Sequence, residues 1–384
     1  MNKKLKTFVL RIDDAVVASG LPQTELIATT TASPVSVTPR VKLEVLETEP
    51  GERAEIAGER STLRVGFAMP ITLIAPKYLA ATTATGDNWG ITSVGADTLD
   101  ETAGAGVKVA VLDTGIAADH PAFDGVYPIT ENFTDEAPED LHGHGTHCAG
   151  TIFGQDVSGQ RIGIARGIRN PLIAKVLGKG GGDSTSLFEA IVWARKNGAR
   201  IVSMSLGMDF PGFQKQLEAA GYNQLEATSI ALQGYRDNVR LFDKISDLFS
   251  ASAAIETPLL IAAAGNESNR DEYRIATAPP AVADEILAVG AIDRSDRVAG
   301  FSNTNPDCSA PGVDILSANV SGGLIGMSGT SMATPHVAGI AAIHASELAA
   351  GGPFTPSELK TATLGRLADL PDPRSEVGFG KPVV

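Results

Sequence analysis

Cysteine is nearly absent from the 384-residue chain. Cys148 and Cys308 are too few to frame a disulfide-stapled fold or a structural zinc site, so both are read as free thiols in a protein stabilised by its core. Long apolar runs are missing too, and none approaches the roughly 18 residues that a membrane-spanning helix needs. Positive charge is in the minority, with 31 Lys and Arg against 45 Asp and Glu and a net charge of −14. Phosphate contacts need a basic face, so a general nucleic-acid binder is excluded, and no membrane partner is expected. No signal peptide is evident either: Met1 to Lys6 has a basic start, but Arg11, Asp13 and Asp14 interrupt the apolar stretch that should follow. The expected compartment is the cytoplasm, or the exterior if a targeting segment lies outside this sequence.

What the chain does have is ordinary core-forming composition, 43% hydrophobic against 20% charged, and length for one large domain plus a small one. Residues 7–14 and 41–48 alternate as half-buried strands do, 51–60 is a short charged helix, and 61–74 reads as one further strand. Residues 18–37, rich in Ala, Thr, Ser and Pro, are expected to be a loop. The soft stretch 79–87 marks a boundary. The expected organisation is a small α+β module at 1–80, a linker at 81–88 and a main domain at 89–384.

From Trp89 onward, apolar strands alternate with helices, which predicts an α/β domain with a mostly parallel sheet covered on both faces. Strands are expected at 107–112, 172–177, 199–206, 259–264 and 286–292, and helices at 145–153, 186–197, 212–220 and about 224–253. Asp113, Leu206-Gly207 and Gly265-Asn266 fall at strand C-terminal ends, where open α/β sheets place ligands.

Ser331 stands in Gly329-Thr330-Ser331-Met332-Ala333-Thr334-Pro335, between a glycine turn and a helix-like run, with Pro335 expected in the first helical turn. A helix cap is the plain reading; a nucleophile is the sharper one, because its partners are present. A hydrolytic serine needs a base, an acid to orient that base, and a donor for the oxyanion. Asp113 ends an apolar strand before Thr114-Gly115. His142, His144 and His147 form His-Gly-His-Gly-Thr-His. Asn266 follows Ala262-Ala263-Ala264-Gly265. The three histidines also allow a metal-dependent hydrolase, although the helical glutamate common in zinc hydrolases is absent. A catalytically silent binding protein on the same fold is a third alternative.

These motifs, in the order Asp, His, Ser, resemble the subtilisin-like serine proteases, the subtilases. Asp113 matches the family's Asp-Thr/Ser-Gly, His144 the first histidine of His-Gly-Thr-His, Asn266 its Ala-Ala-Gly-Asn, and Ser331 its Gly-Thr-Ser-Met-Ala-Thr-Pro. The resemblance, from about Trp89 to Val384, implies a seven-stranded parallel core. It implies a serine endopeptidase acting through an Asp113-His144-Ser331 triad and an acyl-enzyme, with Asn266 and Ser331 forming the oxyanion hole. It further implies that a peptide substrate lies between Gly180-Gly181-Gly182 and Ser205-Leu206-Gly207, with Ala263, Ala264 and Gly265 lining the main specificity pocket.

No cofactor is then required for the chemistry. Structural calcium stays open, since Ala122 in His120-Pro121-Ala122-Phe123 replaces a frequent calcium-binding aspartate. Residues 1–80 would be a prodomain, an intramolecular inhibitor and chaperone with its tail, 71–81, in the cleft, and self-cleavage would leave a fragment starting between Pro76 and Trp89. Cys148, after His147, resembles the free cysteine of the proteinase K branch.

Overall fold

A computed structural model describes residues 4–12, 41–49, 51–74, 88–250 and 257–384. The expected loop at 18–37, the linker at 79–87, and residues 75–81 of the expected tail lie outside them. The first sheet forms around an apolar strand buried continuously from Thr7 to Leu10. Its central strand is β1 (Leu5–Ile12), paired antiparallel with β2 (Val41–Thr48) and β3 (Thr62–Phe67); α1 (Glu52–Ala57) lies between β2 and β3 in sequence. Residues 61–74 are not one strand. The chain leaves this sheet at Phe67, and β4 (Pro70–Leu73) pairs with two strands of the main domain instead.

The main sheet is parallel and seven-stranded. Its strands are β5 (Val109–Asp113), β6 (Ile129–Asn132), β7 (Leu172–Lys175), β9 (Ile201–Met204), β11 (Leu259–Ala263), β12 (Ile286–Ile292) and β13 (Cys308–Pro311), in the order β13-β12-β11-β9-β5-β7-β6. The edge strands β6 and β13 were not expected; Ile-Thr-Glu-Asn and Cys-Ser-Ala-Pro are too short and too polar to stand out. The short strands β8 (Gly182–Asp183) and β10 (Leu206–Met208) lie outside this sheet and flank β4.

Successive side chains of a strand point to opposite faces, so the five inner strands each feed two cores. Val109, Val111, Ile173, Ile201, Ile261 and Val289 pack with α2 (His144–Phe153). Ala110, Leu112, Leu172, Val202, Leu260 and Ala288 pack with α3 (Ser184–Lys196), α4 (Phe210–Ala219) and α5 (Gln224–Ser250). The first face also receives α6 (Thr330–Gly351), buried without a break from Thr330 to Ala345. Its small and apolar residues leave no polar stripe, which suits a helix enclosed on all sides.

The N-terminal sheet belongs to the second core. Phe8, Leu10, Phe67, Met69 and Ile71 are fully buried in one cluster with Phe188, Ile191, Leu241 and Phe242. Each such side chain contributes about 1.5–3 kcal/mol. Polar contacts complete the seam: Asn238 Nδ2 donates to Phe67 O (2.8 Å), Ser184 N to Met69 O (2.9 Å), and Arg53 pairs with Asp237.

Candidate active site

The strand order reverses beside β5. After β5 the chain builds β6 and β7 on one side, then returns to β9 on the other, so the ends of β5 and β9 border the crevice where such sheets bind ligands. Asp113 is the last residue of β5 and fully buried. Its two carboxylate oxygens lie 2.8 and 3.0 Å from His144 Nδ1, and Thr114 N donates to Oδ1 (2.7 Å). His144 opens α2, also fully buried.

Two glycines allow this approach. A Cβ on Gly145 would lie 2.3 Å from Gly115 O and 3.2 Å from Asp113 Cβ, so any side chain there would push the helix off the aspartate loop. Gly115 has φ +107°, and a Cβ on it would meet Pro138 O and Asp140 N at 3.1 and 3.2 Å. Burial, the largest single effect, pushes the His144 imidazole down, but the Asp113 carboxylate foremost, together with Cys148 beside it, holds its pKa well above the ordinary value.

Ser331 is the second residue of α6, fully buried, where unpaired helical N–H groups favour developing negative charge. Its Oγ donates to Ile74 O (3.2 Å) and Ser205 O (3.3 Å), and among the described residues His144 Nε2 has no hydrogen-bond partner. Asn266 flanks the start of α6. Its Oδ1 accepts from Thr330 N and Thr330 Oγ1, both 2.9 Å, which turns Nδ2 toward Gly329. The part of Thr330 was not expected from the sequence, although its place beside the serine was a signal.

The crevice is filled by the chain's own backbone. β4 pairs antiparallel with β10, Leu73 opposite Leu206, Thr72 opposite Gly207 and Ile71 opposite Met208, and with β8 through Pro70–Asp183 and Ile71–Gly182. Ile71 is fully buried, and a Cβ on Gly182 would crowd its side chain at 3.2 Å. The Ile74 side chain lies against Gly207, within 3.4 Å of where a Cβ would sit. Gly181 approaches Ile71 O, whereas Gly180 is exposed and meets nothing. Ala263 and Ala264 are buried at the end of β11, and Gly265 carries the turn into Asn266.

A sequence model of the Subtilase family matches residues 104–381, well over half the chain. The chain belongs to the subtilase family, a family of serine proteases. It is 36% identical over 255 residues to the intracellular serine protease of Paenibacillus polymyxa, covering 64% of this chain and 68% of that one. It is 34% identical over 264 residues to proteinase R of Parengyodontium album (66% and 59%), and 34% over 252 residues to the major intracellular serine protease of Bacillus subtilis (62% and 68%). The chain thus spans about three fifths to two thirds of those relatives' lengths. No helix among the described residues is long and apolar enough to cross a membrane.

As a subtilase, the chain departs from the metal-cluster alternative. His147 turns into the core and donates from Nε2 to Ile315 O (2.9 Å), and burial pushes its pKa down to about 3. His142 is exposed beside His144, with ring centroids 6.3 Å apart. The three histidines therefore do not converge. Among the described residues the one group of three possible ligands is Asp113, His144 and Cys148, already engaged with one another. At 120–123 Ala122 is fully buried and has no side-chain oxygen for a cation, while His120 Nδ1 accepts from Ala122 N (3.0 Å). Both cysteines are free and buried, as expected. Pro335 was expected in the first helical turn but is the sixth residue of α6, inside the helix.

Proposed function

We propose that the protein is a serine endopeptidase in which Ser331 is the nucleophile, His144 the general base and acid, and Asp113 the group that orients it. Residues up to Ile74 act as its intramolecular inhibitor, with a domain boundary between Ile74 and Trp89. The observation that carries this reading is the Ser331 Oγ, 3.2 Å from the carbonyl oxygen of Ile74, the residue that follows a strand held from both sides.

In the reaction, Ser331 Oγ attacks the substrate carbonyl carbon and its proton passes to His144 Nε2. Asp113 accepts a hydrogen bond from His144 Nδ1–H, stays ionised, and stabilises the imidazolium. The oxyanion is met by Asn266 Nδ2 and the Ser331 backbone N–H. Collapse breaks the C–N bond, and the leaving amine takes the proton from His144. Water then attacks the acyl-enzyme, gives a proton to His144, and Ser331 leaves with it restored. A substrate adds a strand between 182–183 and 206–208, as β4 does, so main-chain hydrogen bonds supply affinity whatever the side chains.

Intact-mass spectrometry tests both halves. Wild-type chain is expected to be cut after Ile74, one or more residues before the sites the sequence suggested, whereas Ser331→Ala stays whole. Wild type that remains whole while hydrolysing added peptides overturns the self-cleavage and shows that the uncut module does not block the cleft. Labelling by a fluorophosphonate that survives in Ser331→Ala removes Ser331 as nucleophile.

A further inference from the structure

Four residues before His144 lies an aspartate that the reaction does not use. Asp140 is 4% exposed, and its carboxylate is filled with donors. Oδ1 accepts from Thr114 Oγ1 (2.9 Å), His142 N (2.9 Å) and Gly143 N (2.7 Å); Oδ2 accepts from Thr146 N (2.9 Å) and Thr146 Oγ1 (2.7 Å). These donors come from both halves of the Asp113–His144 pair. Thr114 follows Asp113, and its N–H fixes the Asp113 carboxylate. His142, Gly143 and Thr146 bracket the start of α2, where a negative charge is favoured.

We propose that Asp140 is a positioning residue, which clamps the loop after β5 to the first turn of α2 and so sets the Asp113–His144 geometry. It rests on the roles given to Asp113 and His144 above. The clamp is continuous: Thr114 Oγ1 donates to Asp140 and accepts from Gly145 N (2.9 Å), linking one loop to the other through a single hydroxyl. The segment leading to Asp140 is fixed in turn, since the buried Lys175 donates from Nζ to Ala137 O (2.7 Å) and Glu139 O (2.9 Å). An ordinary helix cap satisfies N–H groups of its own helix. Asp140 also reaches across to Thr114, and that link is what a capping role alone leaves unexplained.

The test uses the full chain, with active sites counted by a fluorophosphonate and the pH profile of kcat/KM recorded. Asp140→Asn turns an amide donor toward N–H donors; kcat is expected to fall on the order of tenfold to a hundredfold, with KM little changed, because the base is misplaced. The acid limb should move to lower pH, as His144 loses the fixed carboxylate that holds its proton; Cys148 and His142, the other titratable groups beside it, are unchanged. Should Asp140→Asn fail to fold, Thr114→Val and Thr114→Ser carry the test: Val should reproduce the loss and Ser, which keeps the hydroxyl, recover most of it. Unmoved acid limbs in Asp140→Asn and Thr114→Val, or equal losses in the Val and Ser variants, overturn the proposal. Full activity in His144→Ala would instead overturn the reading beneath it.

Discussion

Pro335 stands four residues after Ser331 in one helix and, having no N–H, cannot close the helical hydrogen bond to the Ser331 carbonyl. That oxygen accepts instead from Ser205 Oγ (3.0 Å) and the Cys148 thiol (3.4 Å). The Ser331 peptide is thereby tied to the segment after β9 and to the helix of His144. Cys148 has a bonding role, and burial pushes its pKa up, so it stays a thiol able to donate.

Ser205→Ala should leave that carbonyl to the weak S–H donor alone. In the Ser331→Ala background, which prevents self-digestion, a loss of about 1–3 kcal/mol is expected from urea unfolding, the cost of an unsatisfied buried group. Adding Pro335→Ala supplies an N–H and should recover part of it. Strictly additive losses would refute the coupling.

Activity should rise with pH as His144 gives up its proton, because only the neutral imidazole accepts one from Ser331. The Asp113 carboxylate holds that proton against burial, so Asp113→Asn should shift the acid limb of kcat/KM to lower pH while turnover falls. An acid limb that stays in place would detach it from His144. Asn266→Ala should cost on the order of a hundredfold to a thousandfold in kcat, a range carried over from subtilisin itself.

Two further histidines set acid stability. Burial holds His147 down to about 3 and His336 down to about 4, so both are neutral in the fold. An unfolded histidine binds a proton as pH falls through about 6.5, so the unfolded state is favoured below that pH. Stability is full above about 6.5 and declines toward pH 4, by up to about 1.4 kcal/mol per pH unit for each group. Urea midpoints of Ser331→Ala between pH 8 and 4 read this slope, and His336→Gln should flatten it.

The N-terminal sheet is held to the main domain partly by charge. Arg53 pairs with Asp237 of α5, itself 8% exposed, and Arg53 also lies over the Phe67 ring, 4.5 Å from its centroid. Asp237→Asn leaves Arg53 without its counter-charge, so the lag before refolded chain becomes active should shorten, while exposed Glu47→Ala leaves it unchanged. Equal lags would show that the pair does not hold the module.

The alternation of strands and helices, and the four motifs, could be read from the sequence because each is local: strand ends, glycine turns and helix starts are written in neighbouring residues. The edge strands 129–132 and 308–311 could not, since their few residues take their register from neighbours distant in sequence. Nor could the division of residues 61–74, where local pattern is continuous but the hydrogen-bond partners change from β1 to β8 and β10. His144 and His147 share a helix three residues apart, a spacing that puts both near one face. Packing alone separates them, since Asp113 draws one imidazole into the crevice and Ile315 O takes the other into the core. The sequence by itself determined which chemical groups the protein carries and the local structure around each. Only the tertiary structure decided which carbonyl Ser331 faces, because a buried hydroxyl bonds whatever backbone the fold brings within reach.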